Sequence, residues 1–119
     1  MGLAKLAKPL GWFSLALGAA ELLKGREIAR VHGAPEGTNV VRGFGAREIA
    51  AGAAVLARPR SPIGLWARAA GDVLDIAAAG TAAATARRAT PRKIALGSLA
   101  FVAGALALDV LVARSLQKA

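Results

Sequence analysis

The longest uncharged stretch of the chain is IALGSLAFVAGALAL, at residues 94–108. As a helix it rises 1.5 Å per residue, and a bilayer core of about 30 Å needs about 20 residues, so this stretch is close to membrane-spanning length. Three further apolar stretches precede it. We therefore expect an all-α chain, an integral membrane four-transmembrane-helix bundle, with helices over about residues 9–24, 40–57, 63–86 and 94–114 in a single domain, residues 1–119.

The composition narrows the class of protein. The chain is 55% hydrophobic, which excludes disorder, and only 4% aromatic, which argues against a β-sandwich or barrel. It contains no cysteine, so disulfides, thiolate metal sites and thiol nucleophiles are excluded. A soluble four-helix bundle is the competing interpretation, because 15 uncharged residues fall short of the usual 18.

Positive charge flanks the apolar stretches and lies in the predicted loops. The chain has 16 Lys and Arg against 7 Asp and Glu, a net charge of +9. Nucleic-acid binders gather such charge on one face with stacking aromatics, and that pattern is missing here. Cations at helix ends instead suit phospholipid headgroups, so we expect the lipid bilayer as partner, no nucleic acid, and a multi-pass location in a bacterial inner membrane.

The distribution of these cations also bears on orientation. If four helices cross in alternation, six cations lie on one side and seven on the other, a bias too small to fix orientation strongly. A homo-oligomer, such as an antiparallel dimer, is the expected consequence. The two sets are Lys5, Lys8, Arg58, Arg60, Arg114 and Lys118, and Lys24, Arg26, Arg30, Arg87, Arg88, Arg92 and Lys93.

The first apolar stretch also resembles a secretory signal, with Lys5 and Lys8 before an apolar segment and small residues after it. Three more stretches of the same character follow. We therefore expect it to be the first helix of the bundle.

Eight ionisable residues lie inside the predicted helices. An Arg or Asp at the centre of a membrane helix costs roughly 2.5–3.5 kcal/mol, so such residues need partners. We expect a buried network, and because it holds five carboxylates against three guanidinium groups, two carboxylates must bind protons, a cation or water. The network is Glu21, Arg42, Arg47, Glu48, Arg68, Asp72, Asp75 and Asp109.

Helical geometry predicts which of these residues meet. At 100° per residue, Arg68, Asp72 and Asp75 share one stripe of the third helix. Matching depth between antiparallel helices then predicts specific neighbours, and Asp72 or Asp75 is the carboxyl group that we expect to hold a proton. The predicted neighbours are Arg68 with Asp109, Glu21 with Arg42, and Arg47 and Glu48 with Asp72 and Asp75.

Small residues recur on two helix faces and favour close helix packing. The first face is Gly11, Ser14, Gly18 and Glu21, and the second is Gly97, Phe101, Gly104 and Leu108.

Candidate chemistry rests on the charged stripe. Asp72 and Asp75 lie one turn apart, as in some divalent sites, but no second pair exists and His32 falls in a polar loop, so we expect no metal. We find no Ser/His/Asp set, phosphate loop or dinucleotide fingerprint, and expect no cofactor. The catalytic candidates, should there be a reaction, are Glu48, Asp72, Asp75, Arg47 and Arg68.

Four motifs resemble a known group of proteins: GWFS at residues 11–14 leading to ELL at 21–23, RGFGAREIAAG at 42–52, WARAAGDVLD at 66–75 and ALD at 107–109. They resemble small four-helix bacterial membrane proteins of the DoxX-like group, and the membrane segment attached to polyketide cyclase/dehydrase-type lipid-binding proteins. The resemblance implies a membrane bundle and, by analogy with DoxX relatives in quinone-using complexes, a membrane or redox partner protein. No ligand-binding role is carried over, since the cyclase-type domain is not in this sequence.

Three functions remain open at this point. The first is a compact membrane subunit or scaffold with a buried charge network. The second is a small dimeric transporter or channel in which buried carboxylates couple to protons or cations. The third is a membrane isomerase or cyclase in which a buried Asp acts as general acid beside an Arg.

Overall fold

The computed structural model describes residues 2–33 and 35–118, without the side chain of Pro35. The ends of the predicted domain, residues 1 and 119, and residue 34 lie outside the described residues. Within the described ranges all regular structure is helical. The α-helices are α1 (Ala7–Leu23), α2 (Gly25–Val31), α3 (Thr38–Ala57), α4 (Ile63–Thr85) and α5 (Ala89–Lys118), with short 3₁₀ turns at Leu3–Leu6 and Pro35–Gly37.

The helices associate mainly as two antiparallel pairs, α1 with α3 and α4 with α5. A smaller contact between α3 and α4 joins the pairs. The assembly is elongated, 47 × 23 × 16 Å, and its long dimension matches the roughly 45 Å rise of the 30-residue α5.

Two differences from the predicted helix boundaries concern the break after α1 and the start of α5, and α5 also ends at Lys118 rather than residue 114. The chain leaves helical geometry at Lys24, with φ −116° and ψ 21°, and restarts as α2, a helix that we did not predict. At the other difference, α5 begins at Ala89 rather than residue 94, and so includes Pro91. Proline is tolerated there because the first turn of a helix has no acceptors for its N–H groups.

The predicted four-transmembrane-helix bundle is wrong. Among the described helices, α5 alone is long and apolar enough to cross a membrane. Helix α1 has only 17 residues, and α3 and α4 each carry three charged side chains, whose insertion cost exceeds what their apolar residues return. Without four crossing helices, the structure does not support a multi-pass location, and the comparison of cations between two membrane sides no longer applies.

Helix α5 differs from the core helix of a water-soluble protein in its burial. Only 11% of an apolar 18-residue window within it is buried against the rest of the chain. Leu96 and Leu111 are both about half exposed. Arg92 and Lys93 precede the apolar stretch, and Arg114 follows it.

Elsewhere in the structure too, large apolar side chains are exposed and charged side chains are buried. Trp12, Leu23 and Ile63 are 64%, 79% and 73% exposed, whereas Arg68 and Asp109 are 1% and 0% exposed. A chain folded for water alone buries large apolar side chains and exposes charges. The outer surface is therefore suited to an apolar neighbour.

Glycines set the close approach of α1 and α3. A Cβ built on Gly18 would lie 2.5 Å from the carbonyl oxygen of Gly45, and a Cβ on Gly52 would lie 2.7 Å from that of Gly11. Between these two contacts the Ser14 hydroxyl donates a 2.6 Å hydrogen bond to the backbone carbonyl of Glu48. The predicted small-residue face of α1 is thus confirmed as a packing face.

The predicted small-residue face of α5 is not confirmed as a packing face. Gly97 and Gly104 are exposed, and a Cβ on either would meet nothing within 4 Å. The prediction of a second glycine packing face is wrong for the described part of the chain.

Candidate functional site

A cluster of buried charges lies where α3, α4 and α5 meet, with Arg68 of α4 at its centre. The Arg68 Nε donates a 3.0 Å hydrogen bond to Asp109 Oδ1 on α5. Its Nη1 lies 3.8 Å from Oε2 of Glu48 on α3, an ion pair beyond hydrogen-bond length. All three side chains are at most 2% exposed, so one guanidinium links three helices.

Asp72 joins this cluster from one turn along α4. It is 4% exposed and lies within reach of Asp109 for a hydrogen bond between the two side chains, which forms only with a proton on one of the carboxyl groups. Burial, followed by that hydrogen bond and the charge of Asp109, raises the pKa of Asp72 to about 9, with Arg68 opposing. Asp72 is therefore the proton carrier of the cluster at neutral pH.

Glu48 is the third carboxyl group of the cluster around Arg68. Burial raises its pKa above the usual range, and the neighbouring Arg68 only partly offsets that effect. Several polar atoms of the cluster are buried without a hydrogen-bond partner, so the arrangement is not a fully satisfied ion lock. They are Glu48 Oε1, Arg68 Nη1, Asp72 Oδ2 and Asp109 Oδ2.

A second ion pair joins α3 to α4 beside the cluster. The Arg47 Nη2 donates a 3.0 Å hydrogen bond to Asp75 Oδ1. The guanidinium lies 5.2 Å from the ring centroid of Phe44, and its Nη1 occupies the space that a Cβ on Gly71 would need. Burial raises the pKa of Asp75, with Arg47 opposing.

The predicted pairing of Glu21 with Arg42 does not form. Arg42 is exposed, and its aliphatic stem packs on Gly25 of α2, where a Cβ would lie 2.9 Å from Arg42 Cγ. Glu21 Oε1 is buried without a hydrogen-bond partner. Burial, then the charges of Asp75 and Glu48, raise the pKa of Glu21 to about 7, with Arg47 opposing.

A cleft of about 650 Å³ opens beside Glu21 and Asp75, between the two helix pairs. Phe44 and Phe101 contribute to its apolar lining. At His32 the Nδ1 is 2.8 Å from the Ile28 carbonyl oxygen, which can only accept, so Nδ1 carries a proton. Its Nε2 is 2.8 Å from the Ser98 hydroxyl of α5, so His32 links α2 to α5 at the cleft wall.

Sequence reasoning missed this cleft. It placed His32 in a polar loop, assigned Phe101 to a helix-packing face and gave no role in a cleft to Phe44. The available signal was the helical periodicity of Glu21, Ile28 and His32, but the break at Lys24 conceals it.

A second cleft, of about 780 Å³, lies at one end of the bundle and is basic. Lys5 and Lys8 reach it from the N-terminal segment, and Arg58 and Arg60 from the connection between α3 and α4. The sequence predicts cations at both places. The structure adds that the two groups line the same cleft.

The charge cluster can hold a proton between carboxyl groups and, through Arg68, stabilise a neighbouring negative charge. Among the described side chains no group of three or more His, Asp or Glu is arranged to hold a metal ion. General-acid roles for Glu48, Asp72 or Asp75 stay predictions.

Comparison of the chain with protein-family profiles, curated proteins and solved structures finds no match. The resemblance to the DoxX-like group therefore stays a prediction, and the function has to be argued from the geometry.

Proposed function

We propose that this chain is a small membrane-bound subunit or scaffold that contacts lipid through α5 and the neighbouring apolar surface. The observation that carries the proposal is the inverted burial, with Leu23 79% exposed and Arg68 1% exposed. Fully burying one large apolar side chain contributes about 1.5–3 kcal/mol. Fourteen large apolar side chains are exposed on the described surface, so an apolar environment stabilises this chain far more than water does.

The ends of α5 support the same proposal. Its apolar stretch at residues 94–113 rises about 30 Å, the thickness of a bilayer core. The single carboxylate in that stretch, Asp109, is 0% exposed and bonded to Arg68, so it does not meet the surroundings of the helix. The basic cleft at one end of the bundle fits anionic headgroups.

The buried cluster supports the scaffold part of the proposal. Arg68 contacts Asp109 of α5 and Glu48 of α3 together, which fixes the relative positions of three helices. Close glycine packing fixes α1 against α3. Such a rigid unit suits a subunit that positions partner proteins, and a homo-oligomer or a membrane or redox partner protein is its expected context.

The test is fractionation of expressing cells followed by a carbonate wash of the membranes. We expect the wild-type chain to remain in the washed membranes. Leu96→Arg with Leu111→Arg places two charges on the exposed face of α5, each costing roughly 2.5–3.5 kcal/mol in lipid, and should release the chain.

Ala89→Arg with Gln117→Arg is the matched control, because it adds the same charge at exposed residues outside the apolar stretch. The control should remain with the membranes. Release of the wild-type chain by carbonate, with its apolar surface covered by a second copy in solution, would refute the proposal.

A specific observation favours a second candidate, a small dimeric transporter that couples to protons or cations. Glu21 and Asp75, both with raised pKa values, line an open cleft rather than a sealed core. Proton uptake into liposomes under an imposed potential, lost in Glu21→Gln, would support it. Liposomes no leakier than protein-free ones would exclude it.

A further inference from the structure

The cleft between the two helix pairs has an unusual charge composition for this chain. Three carboxylates line it, Glu21, Glu36 and Asp75, out of only 7 acidic residues in the sequence. None of the 16 Lys and Arg residues is among its described lining residues. In a protein of net charge +9, this cleft is the place that favours a cation.

Of these carboxylates, Glu21 is the one available to a ligand. Asp75 already accepts a 3.0 Å hydrogen bond from Arg47, and Glu36 is exposed. Glu21 Oε1 is buried, lacks a hydrogen-bond partner and belongs to a residue that lines the cleft. Because Oε1 is closed off from the cleft as well as unpartnered, a rotation of the Glu21 side chain toward a donor on a ligand would give this oxygen the hydrogen bond that it lacks.

The rest of the lining is apolar. Leu17, Val40, Phe44 and Phe101 surround the volume of about 650 Å³, which is the size of a pocket for a small organic molecule. Aromatic faces also attract cations. The cleft thus combines an apolar lining with the carboxylate of Glu21, whose Oε1 has no hydrogen-bond partner.

We propose that this cleft binds an organic amine, a small apolar molecule whose protonated amino group donates a hydrogen bond to the carboxylate of Glu21. An anion of the same shape would meet the carboxylates of the lining and be rejected, and a neutral analogue would lack the charge-assisted hydrogen bond. The inference goes beyond the proposed membrane role and does not depend on it.

The pH dependence of amine binding provides a second test, because Glu21 can be protonated. The charged groups around it are Asp75 of α4, Glu48 and Arg47 of α3, with His32 and Glu36 at the cleft wall. Its pKa is raised to about 7, which places its titration close to neutral pH. A bound ammonium favours the carboxylate, so amine affinity should fall as pH drops below 7.

The experiment compares three probes that share one apolar body: 4-phenylbutylamine, 4-phenylbutanol and 4-phenylbutanoate. Binding to the purified, detergent-solubilised full chain is measured by calorimetry at pH 8, with detergent alone as the blank. We expect the amine to bind at least tenfold more tightly than the alcohol and the carboxylate probe to bind most weakly.

Glu21→Gln should remove that tenfold preference by weakening the amine alone, with alcohol binding unchanged. Glu27→Gln is the matched control, an exposed glutamate of α2 that is not among the described lining residues, and should leave all three affinities as they are. Equal binding of amine and alcohol by the wild type, or an unchanged amine affinity in Glu21→Gln, would overturn the proposal. So would an equal loss of alcohol binding in that variant, because Glu21 would then only shape the cleft.

Discussion

Replacing Arg68 by Met removes the single cation that contacts the buried cluster of Glu48, Asp72 and Asp109. Arg68 is 1% exposed and Asp109 is 0% exposed, so no water can take over the lost ion pair without opening the helices. Breaking a buried pair by removing one partner costs about 3–5 kcal/mol, mainly through the charge left behind. Since small domains have a total stability of about 5–15 kcal/mol, the loss should be large.

The measurement is denaturant unfolding in a mild detergent, followed by helical circular dichroism at pH 7. Arg68→Met combined with Asp109→Asn should recover a substantial part of the lost stability, because the stranded carboxylate is then also gone. Arg47→Met is the control from the second ion pair. Its side chain is 25% exposed and Asp75 is 15% exposed, so we expect it to cost only about 1 kcal/mol.

Two outcomes would refute this reasoning. One is a loss in Arg68→Met no larger than that in Arg47→Met, which would mean that the cluster is hydrated or unpaired. The other is a double variant no more stable than the single one, which would mean that Asp109 is not the charge left unpaired. Arg68→Lys keeps the charge but loses the planar guanidinium, so its free energy of unfolding should lie between those of the wild type and Arg68→Met. If Arg68→Met does not fold, Arg68→Lys is compared with the wild type and Arg47→Met instead.

Two further predictions concern packing and pH. Gly18→Ala should destabilise the chain by about 1–3 kcal/mol, because its Cβ would lie 2.5 Å from the Gly45 carbonyl oxygen. Gly104→Ala has open space and should instead gain up to about 1 kcal/mol of helix propensity, and thermal melts of the two variants decide whether close packing explains the difference. The free energy of unfolding should fall as pH rises from 3.8 to about 9, because folded Asp72 keeps a proton that the unfolded chain releases. Asp72→Asn still donates to Asp109 and should show a shallower fall in a pH series of denaturant melts, whereas equal slopes would place the proton elsewhere.

The part of the site that sequence could predict is the part that regular geometry determines. Arg68 and Asp109 lie on antiparallel helices at matching depth, and the structure places Arg68 Nε 3.0 Å from Asp109 Oδ1. The shared stripe of Arg68 and Asp72 on α4 follows from the 100° helical step in the same way. Neither relation depends on loops.

The pairing of Glu21 with Arg42 failed because it does depend on a local turn. The break at Lys24 starts α2, and Gly25 of α2 then receives the stem of Arg42. A depth argument assumes that the helices run straight to their ends. One non-helical residue between Glu21 and the loop removes that assumption.

The number of membrane-crossing helices failed for an energetic reason. Apolar stretches show where helices bury or expose apolar surface, but not which of them can enter lipid with their charges. Helices α3 and α4 have enough length, yet each carries three charged residues, and only α5 passes both conditions. Periodicity likewise identifies a face without saying whether another helix covers it, as Gly18 and Gly104 show in opposite ways.

Arg68 of α4 contacts α5 and α3 at different distances, so the α4–α5 and α3–α4 contacts differ in strength. Its 3.0 Å hydrogen bond to Asp109 holds α4 to α5 as a close ion pair. Its 3.8 Å contact to Glu48 holds α3 to α4 less closely, and burial raises the pKa of Glu48 despite that contact. The α3–α4 contact therefore joins Arg68 to a carboxyl group whose charged form burial disfavours, whereas the α4–α5 contact is a hydrogen-bonded ion pair between two buried side chains. The cleft that contains Glu21 lies between the two helix pairs, and so borders the less closely held contact of α3 with α4.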